Sequence, residues 1–368
     1  TDVPGFSETF LPDGKPPIVG ERFVLPALAE TLMQIGDRGI SDFYEGELSR
    51  KIISDLAKVG SPLSLEDMEK HKAQTTEPLQ VATSSGTLYN MPPPTQGIAS
   101  LIILSLFDIL KRPEAETADY IHAMIEATKA AFDIRDKYVA DPDYMNVLVT
   151  KFLSHDSLTQ LASGIDFSHA KPWNTQVDSG DTVWMGAADS DGCVVSCIQS
   201  VYWEFGSGLV LPETGIVWQN RGIGFSLNQD HHNRLEPMRQ PFHTIQPALA
   251  NLHDGRVMAY GTMGGEGQPQ TQAAIFSRYV TYKQDLQAAI NAPRWLLGRT
   301  WGDDTSELRL ESRFTADVAN DLAQRGHELE LVGDFDDIMG HAGAVVLRPD
   351  GIFEAASDPR SDGAALGF

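Results

Sequence analysis

DTVWMGAADSDGCVVSCIQ, residues 181–199, reads as a strand, a two-residue turn at Asp191-Gly192 and a second strand through Val194-Val195. The residues before it, 163–180 (SGIDFSHAKPWNTQVDSG), are rich in Ser, Gly, Asn, Asp and Pro and read as an exposed connection. Thr182 therefore sits where an exposed linker meets a hairpin. A chain cut before it would place its hydroxyl beside its own α-amine, whose pKa near about 8 suits a general base at neutral pH. Threonine is also an ordinary strand residue, so position alone does not make it a nucleophile.

Working outward, the 368 residues suffice for one large domain or two ordinary ones. An apolar content of 42% with 21% charged residues describes a soluble globular protein. The 51 acidic against 28 basic side chains give a net charge of −23, a surface that repels phosphate backbones and argues against nucleic acid as a partner. No apolar run approaches the length of a membrane helix, so no membrane partner is expected. Cys193 and Cys197 lie four residues apart on one expected strand, about 13 Å from each other. They cannot bridge and are read as small core residues. No cofactor or metal motif is present. His231-His232 lacks a third ligand and its rings are expected to point apart, and neither Asp334–Asp337 nor Asp303-Asp304 has a calcium-loop pattern.

In chain order, helices are expected over residues 23–35 and 41–59, and a third starts at the capping-box spacing Ser64 to Asp67. Residues 81–91 read as one strand, ended by Pro92-Pro93-Pro94. Gly97–Leu110 is apolar nearly all round and should be a buried helix. Ile121, Met124, Ile125, Thr128 and Phe132 form a stripe at helical spacing on the next. After the linker, hairpins are expected through Val217, strands at 247–252, 256–261, 342–347 and 352–355, and helices at 271–281 and 314–325. Helices first and then mostly strands suggest an α+β fold of stacked sheets flanked by helices.

The hairpin, with FGSG (205–208), ETGIVWQN (213–220), MGGEGQPQ (263–270), NAPRW (291–295) and ASDPR (356–360), resembles the gamma-glutamyltransferase family of N-terminal-nucleophile hydrolases. DFYEGELSRKI (42–52), LSLEDMEKH (63–71), YNMPPPTQG (89–97) and DPDYM (141–145) extend the resemblance over essentially the whole chain. It implies a four-layer α-β-β-α sandwich spanning both sides of Thr182. Residues 1–181 would be the C-terminal half of a large subunit and 182–368 the small subunit. It also implies autocatalytic cleavage between Asp181 and Thr182, and a heterodimer of the two products or a dimer of such heterodimers. No signal peptide is read, the first half of the large subunit is expected to be missing, and a cytoplasmic location is the default expectation.

Carried over residue by residue, the resemblance makes Thr182 the nucleophile, Gly264 and Gly265 the oxyanion donors, and Ser200 a hydroxyl bonded to the nucleophile. The departures bear on substrate. Where the family has an aspartate that holds an α-ammonium, QNRGIGFS (219–226) has Gly224, and Arg221 stands three residues earlier. A Ser-Ser pair for the α-carboxylate is replaced by His243-Thr244. Losing an ammonium's counter-charge should weaken gamma-glutamyl binding, while an Arg suits a carboxylate-bearing acyl group. GDTVW, QNRG, PFHTI and MGG-x-x-QPQ resemble the oxamate amidohydrolase branch. The expected function is hydrolysis of a small carboxylate-bearing amide. The alternatives are a gamma-glutamyltransferase or glutathione hydrolase, a cephalosporin acylase-like enzyme, and an uncleaved inactive scaffold.

Overall fold

The computed structural model describes residues 3–173, 181–298 and 307–368, the side chain of Asp181 aside. The expected linker is thus described only as far as Trp173, and Asp303-Asp304 lie outside the described residues. The chain divides into two units.

The first unit joins the residues up to Thr76 to Val201–Asn220. It carries helices α1 (Phe6–Phe10), α2 (Pro26–Arg38), α3 (Ser41–Glu45), α4 (Glu47–Lys58) and α5 (Leu65–Lys70). They pack around Ile52, Leu56, Met68, Leu209 and Leu211. Helix α2 starts later than its apolar spacing suggests because Pro26 occupies the first turn, where a missing N–H costs nothing. The single helix expected over 41–59 is two. Gly46 leaves the helical region (φ −107°, ψ −146°), and the Asp42 carboxylate accepts the Glu47 N–H at 2.9 Å, capping the second helix. A Cβ at Gly46 would lie 2.0 Å from that carboxylate, so the break requires glycine. The Ser64–Asp67 capping box is present as read.

The second unit, Glu77–Ser200 with Arg221–Phe368, draws on both sides of Thr182. The single strand expected over 81–91 is a tight hairpin, β1 (Leu79–Ala82) and β2 (Gly86–Asn90), because Gly86 (φ 157°) allows the chain to reverse. Helices α6 (Gly97–Leu110), α7 (Ala118–Tyr138) and α8 (His155–Ser163) follow. Helix α6 is buried nearly all round, as its composition requires. Next come β3 (Asp181–Ala188), β4 (Val194–Tyr202), β5 (Ala248–Leu252), β6 (Val257–Thr262), α9 (Gln268–Phe276), α10 (Leu286–Asn291), β7 (Trp295–Leu297) and β8 (Leu308–Glu311). The chain closes with α11 (Ala316–Gln324), β9 (Leu329–Val332), β10 (Ala342–Leu347) and β11 (Phe353–Ser357). A six-stranded sheet has the order β1-β2-β5-β6-β10-β11, all antiparallel; β7-β8-β9 form a smaller sheet and β3-β4 a two-stranded one.

Strand alternation assigns the faces of the large sheet. Met258, Tyr260, Ala344 and Val346 point into one core with α6, α7 and α9. The opposite face is nearly bare: Gly261 pairs with Gly343 across β6 and β10, and β3 lies over them. Trp184 fills the space those glycines leave. A Cβ at Gly261 would fall 2.1 Å from its Cδ1, and one at Gly343 2.5 Å from its Cζ3. Its indole N–H donates to Ser196 Oγ at 3.0 Å.

Several quoted motifs are scaffold. Arg294 of NAPRW pairs with Asp358 of ASDPR, and Arg360 of the same motif binds Asp358 at 3.0 Å and Glu311 at 2.6 Å, all four buried. Burial alone would raise the Asp358 carboxyl, but Arg294 and Arg360 outweigh it and hold it below the usual carboxylate range.

Candidate active site

Strand β3 begins at the Asp181–Thr182 bond. From there burial alternates: Thr182 is 8% exposed, whereas Val183 is 53% and Met185 45% exposed. Thr182, Trp184 and Gly186 share the face turned toward the large sheet, and Trp184 seated on the glycines fixes the depth of Thr182 two residues away. On β4 the same side presents Ser196 and Ser200. The Thr182 hydroxyl donates to Ser200 Oγ at 3.2 Å, so the two hydroxyls that the sequence paired do meet.

The turn between β3 and β4 corrects two readings. It spans Asp189–Cys193 rather than two residues. Asp189 N–H donates to the Cys193 carbonyl, and the Asp189 carboxylate accepts the N–H groups of Asp191 and Cys193, so an Asp side chain substitutes for a tighter backbone turn. Cys193 lies in that loop and Cys197 on the outer face of β4. Both are exposed free thiols rather than core residues.

Thr182 lines a cavity of about 510 Å³ whose wall includes Trp184, Met263, His341, Gly343 and residues 361–366. Met263 leads into the glycine pair. Gly264 (φ 115°) and Gly265 (φ 46°) both take the left-handed backbone that only glycine adopts without strain. The Gly264 carbonyl accepts the Gly267 N–H at 2.7 Å. In a trans peptide the N–H opposes the C=O, so the Gly265 N–H points away from the first turn of α9. The Met263 carbonyl accepts the Thr262 hydroxyl at 2.7 Å, which turns the Gly264 N–H outward by the same rule.

Of the residues expected to read the acyl group, Arg221 and Gly224 are the two ends of one 3-10 turn, and His243-Thr244 follow the Phe242 that faces Gly224. Arg221 and Thr244 are buried and His243 is half-buried. Burial, and then the Arg221 charge, push the His243 imidazole down to about 3, so it is neutral and Arg221 stands beside it. His243 Nδ1 accepts the Ile245 N–H at 3.2 Å. Among the described residues the buried Thr244 hydroxyl has no hydrogen-bond partner. Such a group costs about 1–3 kcal/mol unless something else satisfies it.

Gly224 lines a different cavity of about 410 Å³, floored by the buried Arg135–Glu266 pair. Asn233 holds the loop by donating to the Gly224 carbonyl. A Cβ at 224 would come 2.8 Å from the Phe242 carbonyl oxygen. A carboxylate side chain is therefore not merely missing at 224; the backbone opposite crowds it out.

His231 and His232 do not point apart: their rings lie 4.3 Å centroid to centroid. A grouping that the sequence reading missed is His122, Glu126 and His327, all buried, with ligand atoms within 4.8 Å of one another. His122 Nδ1 and His327 Nε2 are hydrogen-bonded to each other at 2.8 Å, and the Lys129 ammonium sits 2.7 Å from Glu126. A lysine thus already supplies the cation there. The i, i+4 spacing of His122 and Glu126 was visible in the sequence, but the approach of His327 was not.

A family model described as Gamma-glutamyltranspeptidase matches residues 1–368. The oxamate amidohydrolase proenzyme of Klebsiella pneumoniae subsp. pneumoniae is 50% identical over 365 residues, which is 99% of this chain and 69% of that protein. The glutathione hydrolase-like YwrD proenzyme of Bacillus subtilis is 39% identical over 368 residues, 100% of this chain and 70% of that one. Among solved structures, the cephalosporin acylase from Bacillus halodurans superposes with a TM-score of 0.89 at 33% identity, covering 100% of this chain and 68% of that chain.

Proposed function

The chain belongs to the gamma-glutamyltranspeptidase family, and from that premise we propose that it is an autoprocessing threonine amidohydrolase acting on a small, carboxylate-bearing amide of the oxamate class. The observation that carries this reading is the placement of Thr182. Its hydroxyl is bonded to Ser200 at the start of β3, in the wall of a cavity that Met263 shares just before the glycine pair.

In the precursor, the Thr182 hydroxyl oxygen attacks the Asp181 carbonyl carbon, the acyl group moves from nitrogen to oxygen, and water hydrolyses the ester. The freed α-amine then takes the hydroxyl proton as Thr182 attacks the substrate amide. The Gly264 and Gly265 N–H groups, aimed by the bonds that the preceding Met263 and Gly264 carbonyls accept, hold the oxyanion. The proton passes to the departing ammonia, and water releases the acyl group from Thr182.

Arg221, neutral His243 and the orphan Thr244 hydroxyl favour a carboxylate as the acyl group's recognition element. The crowded glycine at 224 disfavours the gamma-glutamyl alternative, whose ammonium would find no carboxylate there. The large sheet, with helices on one face and the β3-β4 sheet on the other, supports a four-layer sandwich. Residues 1–181 and 182–368 would then be the two subunits of a heterodimer, with a cytoplasmic location.

Two assays test the reading together. N-terminal sequencing of purified protein should give a chain beginning Thr-Val-Trp-Met; an uncut chain would favour the scaffold alternative. Processed enzyme should turn over oxamate faster than a gamma-glutamyl anilide; the opposite order would reassign the pocket.

A further inference from the structure

We propose that Gln96, locked by Arg135, is the positioning residue that holds the oxyanion glycines and the 243–244 segment in register with each other. The inference rests on the reading of Gly264-Gly265 given above. Gln96 is the residue immediately before α6, is 0% exposed, and does not use its side chain to cap that helix. Its Nε2 instead donates to two carbonyls from separate segments, Thr244 O at 2.7 Å and Gly265 O at 2.8 Å. Both hydrogens of the amide are thereby committed. Its backbone joins the same junction: the Gln96 N–H donates to His243 O at 3.0 Å, and the His243 N–H donates to Pro94 O at 2.9 Å.

Arg135 fixes which way the amide faces. Its Nη1 donates to Gln96 Oε1 at 3.0 Å. A flipped amide would aim its NH₂ at the guanidinium and its oxygen at two carbonyls, so all three contacts would turn repulsive. Arg135 is itself buried, stacked with its guanidinium carbon 3.8 Å from the Phe132 ring centre, and bonded to Asp136 at 2.6 Å and to Glu266. Glu266 follows Gly265, which closes a ring: Gln96 to Gly265, Glu266, Arg135 and back to Gln96.

The consequence for chemistry comes through the peptide planes. With the Gly265 carbonyl held by Gln96 and the Gly264 carbonyl by Gly267, the peptides on both sides of Gly265 are fixed and its N–H direction is no longer adjustable. The same amide fixes the Thr244 carbonyl, and with it the backbone carrying the orphan hydroxyl. Gln96 touches no substrate at 0% exposure. Its effect is on the spacing between where the oxyanion forms and where the acyl group is read, a distance to which rate is steeply sensitive.

The test compares kcat, KM and thermal midpoint on processed enzyme, normalised to the amount of Thr182 N-terminus, for wild type, Gln96→Met, Gln96→Asn and Gly265→Ala with oxamate. Gln96→Met keeps the length and removes every side-chain bond; kcat should fall roughly 100-fold, the scale of losing one oxyanion donor, with KM changed less than about threefold. Gln96→Asn keeps the amide but is one methylene short, and should fall in between; it decides the matter if the Met variant fails to fold. Wild-type kcat in either folded Gln96 variant, while Gly265→Ala is impaired, overturns the positioning role and leaves the oxyanion reading standing. A Gly265→Ala enzyme with unchanged kcat overturns the oxyanion reading, and this inference with it.

Discussion

Gly261→Ala adds one methyl group under Trp184, and the structure says what it meets. The new Cβ would lie 2.1 Å from Cδ1, 2.3 Å from Nε1 and 2.7 Å from Cγ of the indole. Ordinary carbon contacts begin near about 3.5 Å, so the ring must retreat by roughly 1.5 Å. Neither the β6 backbone, paired on both edges, nor Gly343 beside it can give way as easily as the hairpin. Retreat stretches the Trp184–Ser196 bond of 3.0 Å, a loss of about 1 kcal/mol, on top of about 1–3 kcal/mol for overpacking. The sum, about 3 kcal/mol, corresponds to a drop of roughly 3–5 °C in thermal midpoint for a chain of 368 residues. Because Thr182 lies two residues away on the same face, cleavage should slow by about 100-fold, the scale of a 1 Å misplacement. Calorimetry and time-resolved gels of fresh protein read both quantities. Gly36→Ala, in α2 with nothing within 4 Å, is the control and should be neutral or stabilising by about 0.5–1 kcal/mol. If Gly261→Ala keeps the wild-type midpoint and cleavage rate, the claim that Trp184 sets the depth of Thr182 is wrong.

Thr182→Ala should yield one uncut chain and Thr182→Ser a slowly cut one; cleavage of the Ala protein at the same bond would refute the mechanism. Arg221→Ala should lower kcat/KM for oxamate by about 10- to 100-fold, the worth of a charge-assisted bond, and should let the His243 pKa rise from about 3 in an NMR titration. Acid should destabilise the fold earlier than carboxylates alone predict. His243 is held to about 3 by burial and Arg221, and His327 to about 3 by burial, Lys129, His122 and Arg325, against about 6.5 unfolded. The unfolded chain therefore binds the extra protons between those values. Stability is complete above about pH 6.5 and falls as pH drops toward 3, by up to about 1.4 kcal/mol per histidine per pH unit. A urea midpoint flat from pH 7 to 4.5 would contradict this.

What could be read beforehand was whatever depends on local pattern. Helix α6 announces itself through composition, the α5 cap through Ser64 and Asp67, and the β3-β4 hairpin through β-branched residues either side of a turn. What could not be read depends on a side chain that takes over a backbone partner's place, or on a partner distant in the chain. Asp42 capping Glu47 looks like ordinary helix sequence until Gly46 breaks it, and Asp189 widens a turn whose Asp-Gly pair advertises a tighter one. The cysteines read as core because both fall on one expected strand, whereas Cys193 lies in the loop and β4 turns Cys197 away from the face carrying Ser196 and Ser200. At the site, Thr182, Ser200 and the glycines were reachable through motif resemblance. The Gln96–Arg135 ring was not, since its members are 39 and 131 residues apart along the chain.

The seam between β2 and β5 has a consequence for how cut halves could be handled. β2 comes from before the Asp181–Thr182 bond and β5 from after it, and they pair from Gly86↔Leu252 to Tyr89↔Leu249. The core beneath mixes α6 and α7 with α9 and β6 in the same way. Neither half can leave without unzipping an interior ladder of the large sheet and baring that core. Halves encoded on two separate genes should therefore assemble only when they fold together, and purified heterodimers of two tagged variants should keep their original pairings for days when mixed.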